Sequence, residues 1–317
     1  MPFPYLGETK DLNESTHAGA DGSFVTLKDG VTHYEIGGIS PLPQGAPFGD
    51  DKGPGVALSL SKRVRDIVLV HGFSTPYFIY DPLFEFLRSL NYRVLRYDLF
   101  GRGLSDRPRV QYDIHLFVQQ LTDLLDALQF GPVDLVGLSM GGPITAAFLA
   151  QYPEQVRTHI LIDPAGANAL PFAFMLKALK LPGIWELVFG LFGSESLLKS
   201  VASDFFAPAH VEMFQARYRV QMQYKGFKRA ILSTMRSGML NPFKETYERA
   251  ASFQKPTLLF WGCNDKTVPF EQSKDLLAAI PHAEFHAIEE CGHLPHVEKP
   301  KVFNPILKRF LETNAGN

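Results

Sequence analysis

Gly137-Leu138-Ser139-Met140-Gly141 gives a weak nucleophile special backbone treatment. Glycines two residues before and two after Ser139 remove the side chains that would collide across a sharp turn. Val133-Asp134-Leu135-Val136 ahead of it is the short apolar run of a strand buried on both faces. Behind it, Ile144, Ala147 and Phe148 recur at helical spacing. Such a turn lifts a serine Oγ above a sheet and aims the following helix's N-terminal amides at the reacting atoms. A neutral serine hydroxyl attacks only when a base takes its proton, so the chemistry implied is nucleophilic catalysis with a histidine and an orienting acid. The pentapeptide alone also fits a glycine-rich loop with an incidental serine, so the rest of the chain must decide.

Two later segments offer the partners. Trp261-Gly262-Cys263-Asn264-Asp265 sets an aspartate just past a predicted strand, 256–262. Glu290-Cys291-Gly292-His293 sets a histidine just past the next strand, 283–288. Open parallel sheets bind ligands at that end of their strands. Asp163, at the end of the strand 158–163, competes with Asp265, but it precedes a proline where the chain leaves the regular pattern. His296 reads as packing or surface, His33 as a strand surface residue, and Asp98 as a brace for its own loop. His71-Gly72-Phe73 directly follows the strand 66–70.

The intervening elements must bring these segments together. A hairpin is predicted at 24–36 about Asp29-Gly30. A Pro/Gly-rich loop follows at 37–55. Strands at 66–70 and 92–98 alternate with a helix opened by Asp81-Pro82 and an amphipathic helix over 113–130. Strand then helix, repeated with short connections, argues for a parallel sheet covered on both faces. From about residue 165 to 250 the alternation stops in favour of apolar helical segments. It resumes with the strand at 256–262, helices at 270–280 and 301–311, and the strand at 283–288. The middle segment therefore reads as a helical insertion into one α/β core.

Gly-Leu-Ser-Met-Gly-Gly, His-Gly-Phe, Asp-Leu-Phe-Gly-Arg-Gly-Leu-Ser-Asp and Gly-His-Leu-Pro-His-Val-Glu-Lys-Pro together carry a family likeness. The chain resembles an α/β-hydrolase of the lid-bearing esterase, lipase and C–C hydrolase group, over roughly residues 23–164 and 250–312. The resemblance implies an α/β-hydrolase core at 23–164 and 250–317, a helical cap at 165–249 and an N-terminal tail or arm at 1–22. It also implies a Ser139, Asp265, His293 triad in the family's chain order. His293 would take the serine proton, Asp265 would orient the imidazole, and the backbone amides of Phe73 and Met140 would hold the oxyanion. The activity implied is hydrolysis of lipophilic, medium-sized carboxylic esters through an acyl-enzyme. The alternatives are a C–C bond hydrolase using the same triad, or a small-molecule receptor or scaffold on the same fold. Aspartyl mechanisms are disfavoured because the nucleophile position holds Ser139.

Composition narrows the field. The 317 residues carry a formal charge of −2 and 45% hydrophobic residues, ordinary for a globular chain and without the basic field that attracts nucleic acid. Two cysteines, Cys263 and Cys291, exclude a disulfide-dense scaffold. They stand two residues before Asp265 and His293 and are expected to be reduced thiols. The first residues lack a secretory pattern, so a cytoplasmic address is expected. No metal or cofactor is expected: His282 and His286 fall in a predicted strand, too far apart to share an ion, and the triad chemistry needs none. Aromatic residues at 170–192 are expected to pack the cap or to give at most weak contact with a membrane interface.

Overall fold

Strands made of β-branched and aromatic residues have no face to offer water, so they are stable only when covered on both sides. The computed structural model describes residues 5–38, 65–169 and 184–315, and it resolves that requirement with one eight-stranded sheet. The hairpin β1 (Ser23–Leu27) and β2 (Gly30–Gly37) forms an antiparallel edge. β2 pairs antiparallel with β4 (Arg93–Tyr97). From there β4, β3 (Asp66–Val70), β5 (Val133–Leu138), β6 (Val156–Ile162), β7 (Thr257–Gly262) and β8 (Glu284–Ile288) lie side by side and parallel. All six therefore end at one edge of the sheet. The strands expected from the sequence are present, within two residues at each end.

Alternation along each strand sends neighbours to opposite faces. Val68, Leu95, Leu135, Leu161 and Leu259 join one apolar cluster with Phe117 and Phe148. Ile67, Val94, Val136, Ile160 and Phe260 join the other with Phe84 and Phe303. The helices on those faces start where their sequences cap them. The Asp113 carboxylate accepts from the Leu116 amide at 3.0 Å, opening the helix Ile114–Ala127. Asp81 departs from its expected capping role. Tyr80 is the cap of the helix Asp81–Ser89, and the Asp81 carboxylate accepts from Arg96 and Arg217 instead. The reason is electrostatic: Arg96 is a buried cation on β4 and needs a carboxylate beside it.

His33 is another departure. It is buried, with Nδ1 at 2.7 Å from Asp98 Oδ2 and Nε2 at 2.7 Å from the Asp21 carbonyl. Its strand is covered by the chain N-terminal to it, and the rings of His17, Phe24, His33 and Tyr77 pack in succession. Asp98 also accepts from the Tyr77 and Leu104 amides, which braces the loop after β4.

Between β6 and β7 the regular elements among the described residues are helical: Ile184–Ser203, Val211–Gln221, Phe227–Arg236 and Lys244–Ala251, with a short turn at Pro208–His210. The last helix sits against the helix after β5, Gly141–Gln151: the Tyr247 hydroxyl donates to the Ala165 carbonyl at 2.6 Å. The Pro/Gly-rich stretch from residue 39 and the apolar segment 170–183 lie outside the described residues. No helix among the described residues is long and apolar enough to cross a membrane.

Residues 5–22 run from the helical segment to the sheet edge. The Glu8 carboxylate accepts from the Gly226 and Lys228 amides, each at 2.7 Å, where Phe227–Arg236 begins. Lys228 is buried, and its ammonium donates to the carbonyls of Leu6 and Gly190 at 2.7 and 3.0 Å. Asp11 pairs with Lys225 at 2.8 Å. Glu8 thus supplies from outside the capping acceptor that Gly226 lacks. Glu8→Ala is expected to cost about 1–2 kcal/mol of stability, read as a lowered urea midpoint, with faster proteolytic cleavage of the N-terminal arm.

Candidate active site

Ser139 stands immediately past β5 with φ 54°, the left-handed region that non-glycine residues rarely occupy. Its amide donates to the Ile162 carbonyl at 3.0 Å, and its carbonyl accepts from Gly142 and Ala165 at 2.9 and 3.0 Å. The turn is locked from both sides. A β-carbon on Gly141 would sit 2.2 Å from the Val70 carbonyl oxygen, and one on Gly137 would sit 2.5 Å from Thr145 Oγ1. These contacts leave no room for alanine at either position, which is why a strained serine is held in place.

The loop after β3 lies directly over the serine. A β-carbon on Gly72 would be 3.0 Å from Ser139 Cβ and 3.5 Å from its Oγ. The peptide that follows is oriented by His71. Its Nε2 accepts from the Leu99 amide at 2.9 Å, so the proton is on Nδ1, which donates to the Gly72 carbonyl at 2.9 Å. Burial pulls His71 down to about 4, so it stays neutral and the tautomer holds at physiological pH. Arg102 grips the next carbonyl, donating to Phe73 O at 2.8 Å and to Phe100 O and Thr234 Oγ1 at 3.1 and 2.9 Å. Burial lowers this guanidinium to about 10, still charged at neutral pH. The amides of Phe73 and Met140 have no hydrogen-bond partner among the described residues. Unpaired N–H groups beside a turn this closed are a ready acceptor site for an anion.

Asp265 and His293 meet from the neighbouring strand ends. His293 Nδ1 donates to Asp265 Oδ2 at 2.6 Å, and both side chains are buried. Asp265 Oδ1 accepts from the Thr267 and Val268 amides at 2.7 and 3.0 Å, and Trp261 Nε1 pins the same loop by donating to Val268 O at 3.1 Å. Burial pushes the His293 imidazole down, but the Asp265 charge and hydrogen bond outweigh it and hold the group above 6.5. Asp163 is also at this point, since one oxygen of each aspartate and one His293 ring nitrogen lie within 4.8 Å of one another.

These are also the residues that could be read as metal ligands among the described residues. The 2.6 Å Nδ1–Oδ2 separation is that of a hydrogen bond. Two ligands about 2.0–2.1 Å from one tetrahedral zinc ion would stand about 3.3 Å apart. The geometry therefore suits a proton between them.

Two further carboxylates were missed from the sequence. The Asp204 carbonyl accepts from the His293 amide at 2.7 Å, and its carboxylate accepts from Thr267 Oγ1 at 2.6 Å. Burial pushes that carboxyl up to about 6. Glu298 accepts from the Gly292 amide at 2.8 Å and from the Phe206 and Ala207 amides at 2.8 and 3.1 Å. Together they tie the histidine loop to the helical segment. Glu298 was visible in the motif after His293; nothing around Asp204 signals its place. His296 is buried, with Nε2 at 3.0 Å from the Ile79 carbonyl. Cys263 and Cys291 are free thiols on neighbouring strand ends.

The profile of the alpha/beta hydrolase family matches residues 67–306. A 2-hydroxy-6-oxononadienedioate/2-hydroxy-6-oxononatrienedioate hydrolase of Cupriavidus pinatubonensis is 29% identical over 308 residues, 93% of this chain and 96% of that protein. A 2-hydroxy-6-oxo-6-phenylhexa-2,4-dienoate hydrolase of Burkholderia cepacia is 30% identical over 230 residues, 70% of this chain and 78% of that protein. An esterase structure from Exiguobacterium antarcticum matches with a TM-score of 0.73 at 18% identity, over 92% of this chain and 99% of that one. That last likeness is one of fold.

Gly141→Ala is expected to destabilise the chain by about 3 kcal/mol or more, read by urea denaturation, because the Val70 carbonyl cannot yield without moving β3. The His293 imidazole is expected to titrate above pH 6.5 by NMR. In Asp265→Asn the two largest contributions that oppose burial are lost and only Asp204 still acts upward, so the same resonance should titrate at lower pH than in the wild type.

Proposed function

The chain belongs to the alpha/beta hydrolase family, and from that premise we propose that it is a serine hydrolase of neutral, lipophilic carboxylic esters. Ser139 is the nucleophile. As its Oγ attacks the carbonyl, His293 takes the proton and Asp265 stabilises the imidazolium without being protonated. The free amides of Phe73 and Met140 receive the oxyanion. Each such donor contributes about 10²–10³ in turnover. His293 then protonates the departing alcohol, and water repeats the sequence to release the acyl group. Residues 165–249 serve as a cap over the acyl pocket, with a small lipophilic ester as substrate and no resident cofactor.

The observation that carries this reading is the buried His293–Asp265 hydrogen bond of 2.6 Å at the same sheet edge as a strained serine beside two free amides. The ester is preferred over an anionic substrate because the groups around His293 are acidic. The Asp265 carboxylate bonds its ring and the Glu298 carboxylate bonds its loop. A substrate carboxylate would meet repulsion there.

Hydrolysis of a C–C bond in a 2-hydroxy-6-oxo-dienoate is the second reading. What favours it is the 29–30% identity to hydrolases named for such compounds. The two separate in one assay, with p-nitrophenyl esters of increasing acyl length and a 2-hydroxy-6-oxo-dienoate run in parallel. The expected result is ester turnover that peaks at one chain length and falls by about 10³-fold or more in Ser139→Ala. Ser139-dependent cleavage of the dienoate alone would replace the first reading with the second. Turnover of neither would sink both.

A further inference from the structure

Asp163 is a buried carboxyl that the mechanism above does not use. It follows β6 with φ 42°, a left-handed conformation that costs free energy in an aspartate. Its amide donates to Phe260 O at 3.0 Å, and its Oδ1 accepts from the Gly262 amide at 2.8 Å. Both contacts press it against the end of β7, the strand that leads into the Asp265 loop. Its Oδ2 is buried and has no hydrogen-bond partner among the described residues.

Oxygens of Asp163 and Asp265 lie within 4.8 Å of each other, away from water. Two carboxylates so placed repel each other with little water to screen them, which favours the neutral form in one of the two. The donors decide which keeps the charge. Asp265 accepts from two amides and from His293, whereas Asp163 accepts from one amide. A carboxylate only accepts, so the orphaned Oδ2 finds a partner in Asp265 once it carries a hydrogen. The other ionisable groups packed around this point reinforce the assignment. Glu298 and Asp204 are acidic, and Cys263 and Cys291 are thiols that burial holds protonated. Burial first, and Asp265 second, raise the Asp163 carboxyl well above the ordinary range.

We infer that Asp163 is a neutral carboxylic acid donating a hydrogen bond to Asp265, and so is a positioning residue that tempers the acid of the His293–Asp265 couple. This deepens the triad reading and rests on it for the role of His293. The shared hydrogen spreads the Asp265 charge and weakens its pull on the imidazolium. His293 therefore reaches its basic form at lower pH than it would beside a lone carboxylate.

The test compares wild type, Asp163→Asn, Asp163→Ala and Asp265→Asn. Asparagine keeps both contacts, since its amide nitrogen donates to Asp265 and its oxygen accepts from Gly262. Infrared spectra near pH 8 are expected to contain a neutral-carboxyl C=O band in the wild type that Asp163→Asn lacks. Phosphonylation of Ser139 by a fluorophosphonate probe is then followed against pH. Asp163→Asn should react within about threefold of wild type with the same acid midpoint, and Asp163→Ala should shift that midpoint upward by about half a unit or more.

Three results overturn the inference: a neutral-carboxyl band absent from wild type or retained in Asp163→Asn, an unmoved midpoint in Asp163→Ala, or a loss in Asp163→Asn near the ~10⁴-fold expected of Asp265→Asn. The last would make Asp163 the ionised acid. Should the alanine variant not fold, the asparagine spectrum and rate decide alone. The probe reports an activated serine whichever bond is the natural target, so failure on every ester leaves this inference intact. The infrared band needs no turnover.

Discussion

The site depends on a backbone crossing with no room for a β-carbon. Gly141 lies under the Val70 carbonyl and Gly137 under Thr145, so β3, β5 and the helix after β5 are pressed together at one point. That closeness holds Ser139 in a left-handed conformation and brings Gly72 to within van der Waals reach of its side chain. Everything else at the sheet edge is arranged around this point. The strain stored there is offset by the apolar clusters on the two faces of the sheet, where burial of each large side chain contributes about 1.5–3 kcal/mol.

Charge at the site is handled by neutralising groups in place. His71 is kept neutral by burial, which fixes the direction of its proton and hence the orientation of the peptide beside Ser139. Arg102 keeps its charge with carbonyl and hydroxyl partners, so a positive group stands behind the loop expected to receive an oxyanion. On the other side, Asp265 collects three donors and remains the seat of the negative charge, while Asp163 and Asp204 are pushed towards their neutral forms. The imidazole therefore works between a field that favours an anion over the serine and a carboxylate that favours a cation on itself.

The helical segment is wired to this machinery at several points. Thr234 and Gln221 bond Arg102 and the backbone of Ser74 and Gly103, next to the loop that carries Gly72 and Phe73. The Asp204 carbonyl and Glu298 tie it to the histidine loop. The N-terminal arm completes the circuit, through Glu8 and Lys228 at one end and the stacked rings from His17 to Tyr77 at the other. Movement of these helices would be felt at both the Phe73 loop and the His293 loop, since the connections are hydrogen bonds of fixed direction.

The local parts of this protein were legible in its sequence. The strands are short runs of apolar residues whose burial is written in their composition, and Gly137 and Gly141 announce a turn because no other residue tolerates that crossing. Ser139, Asp265 and His293 could be proposed together because each stands at the end of such a run, and parallel strands end at one edge. Which other groups are packed against that edge was not legible. The register of β6 against β7 sets Asp163 beside Asp265, the fold of the N-terminal arm buries His33, and the charge of Arg96 draws Asp81 away from its cap. Asp204 reaches the histidine loop only through packing of the helical segment. Periodicity reports how a residue faces its own element. The distance between two charges on different elements, and so which of them keeps its proton, exists only once the chain is packed.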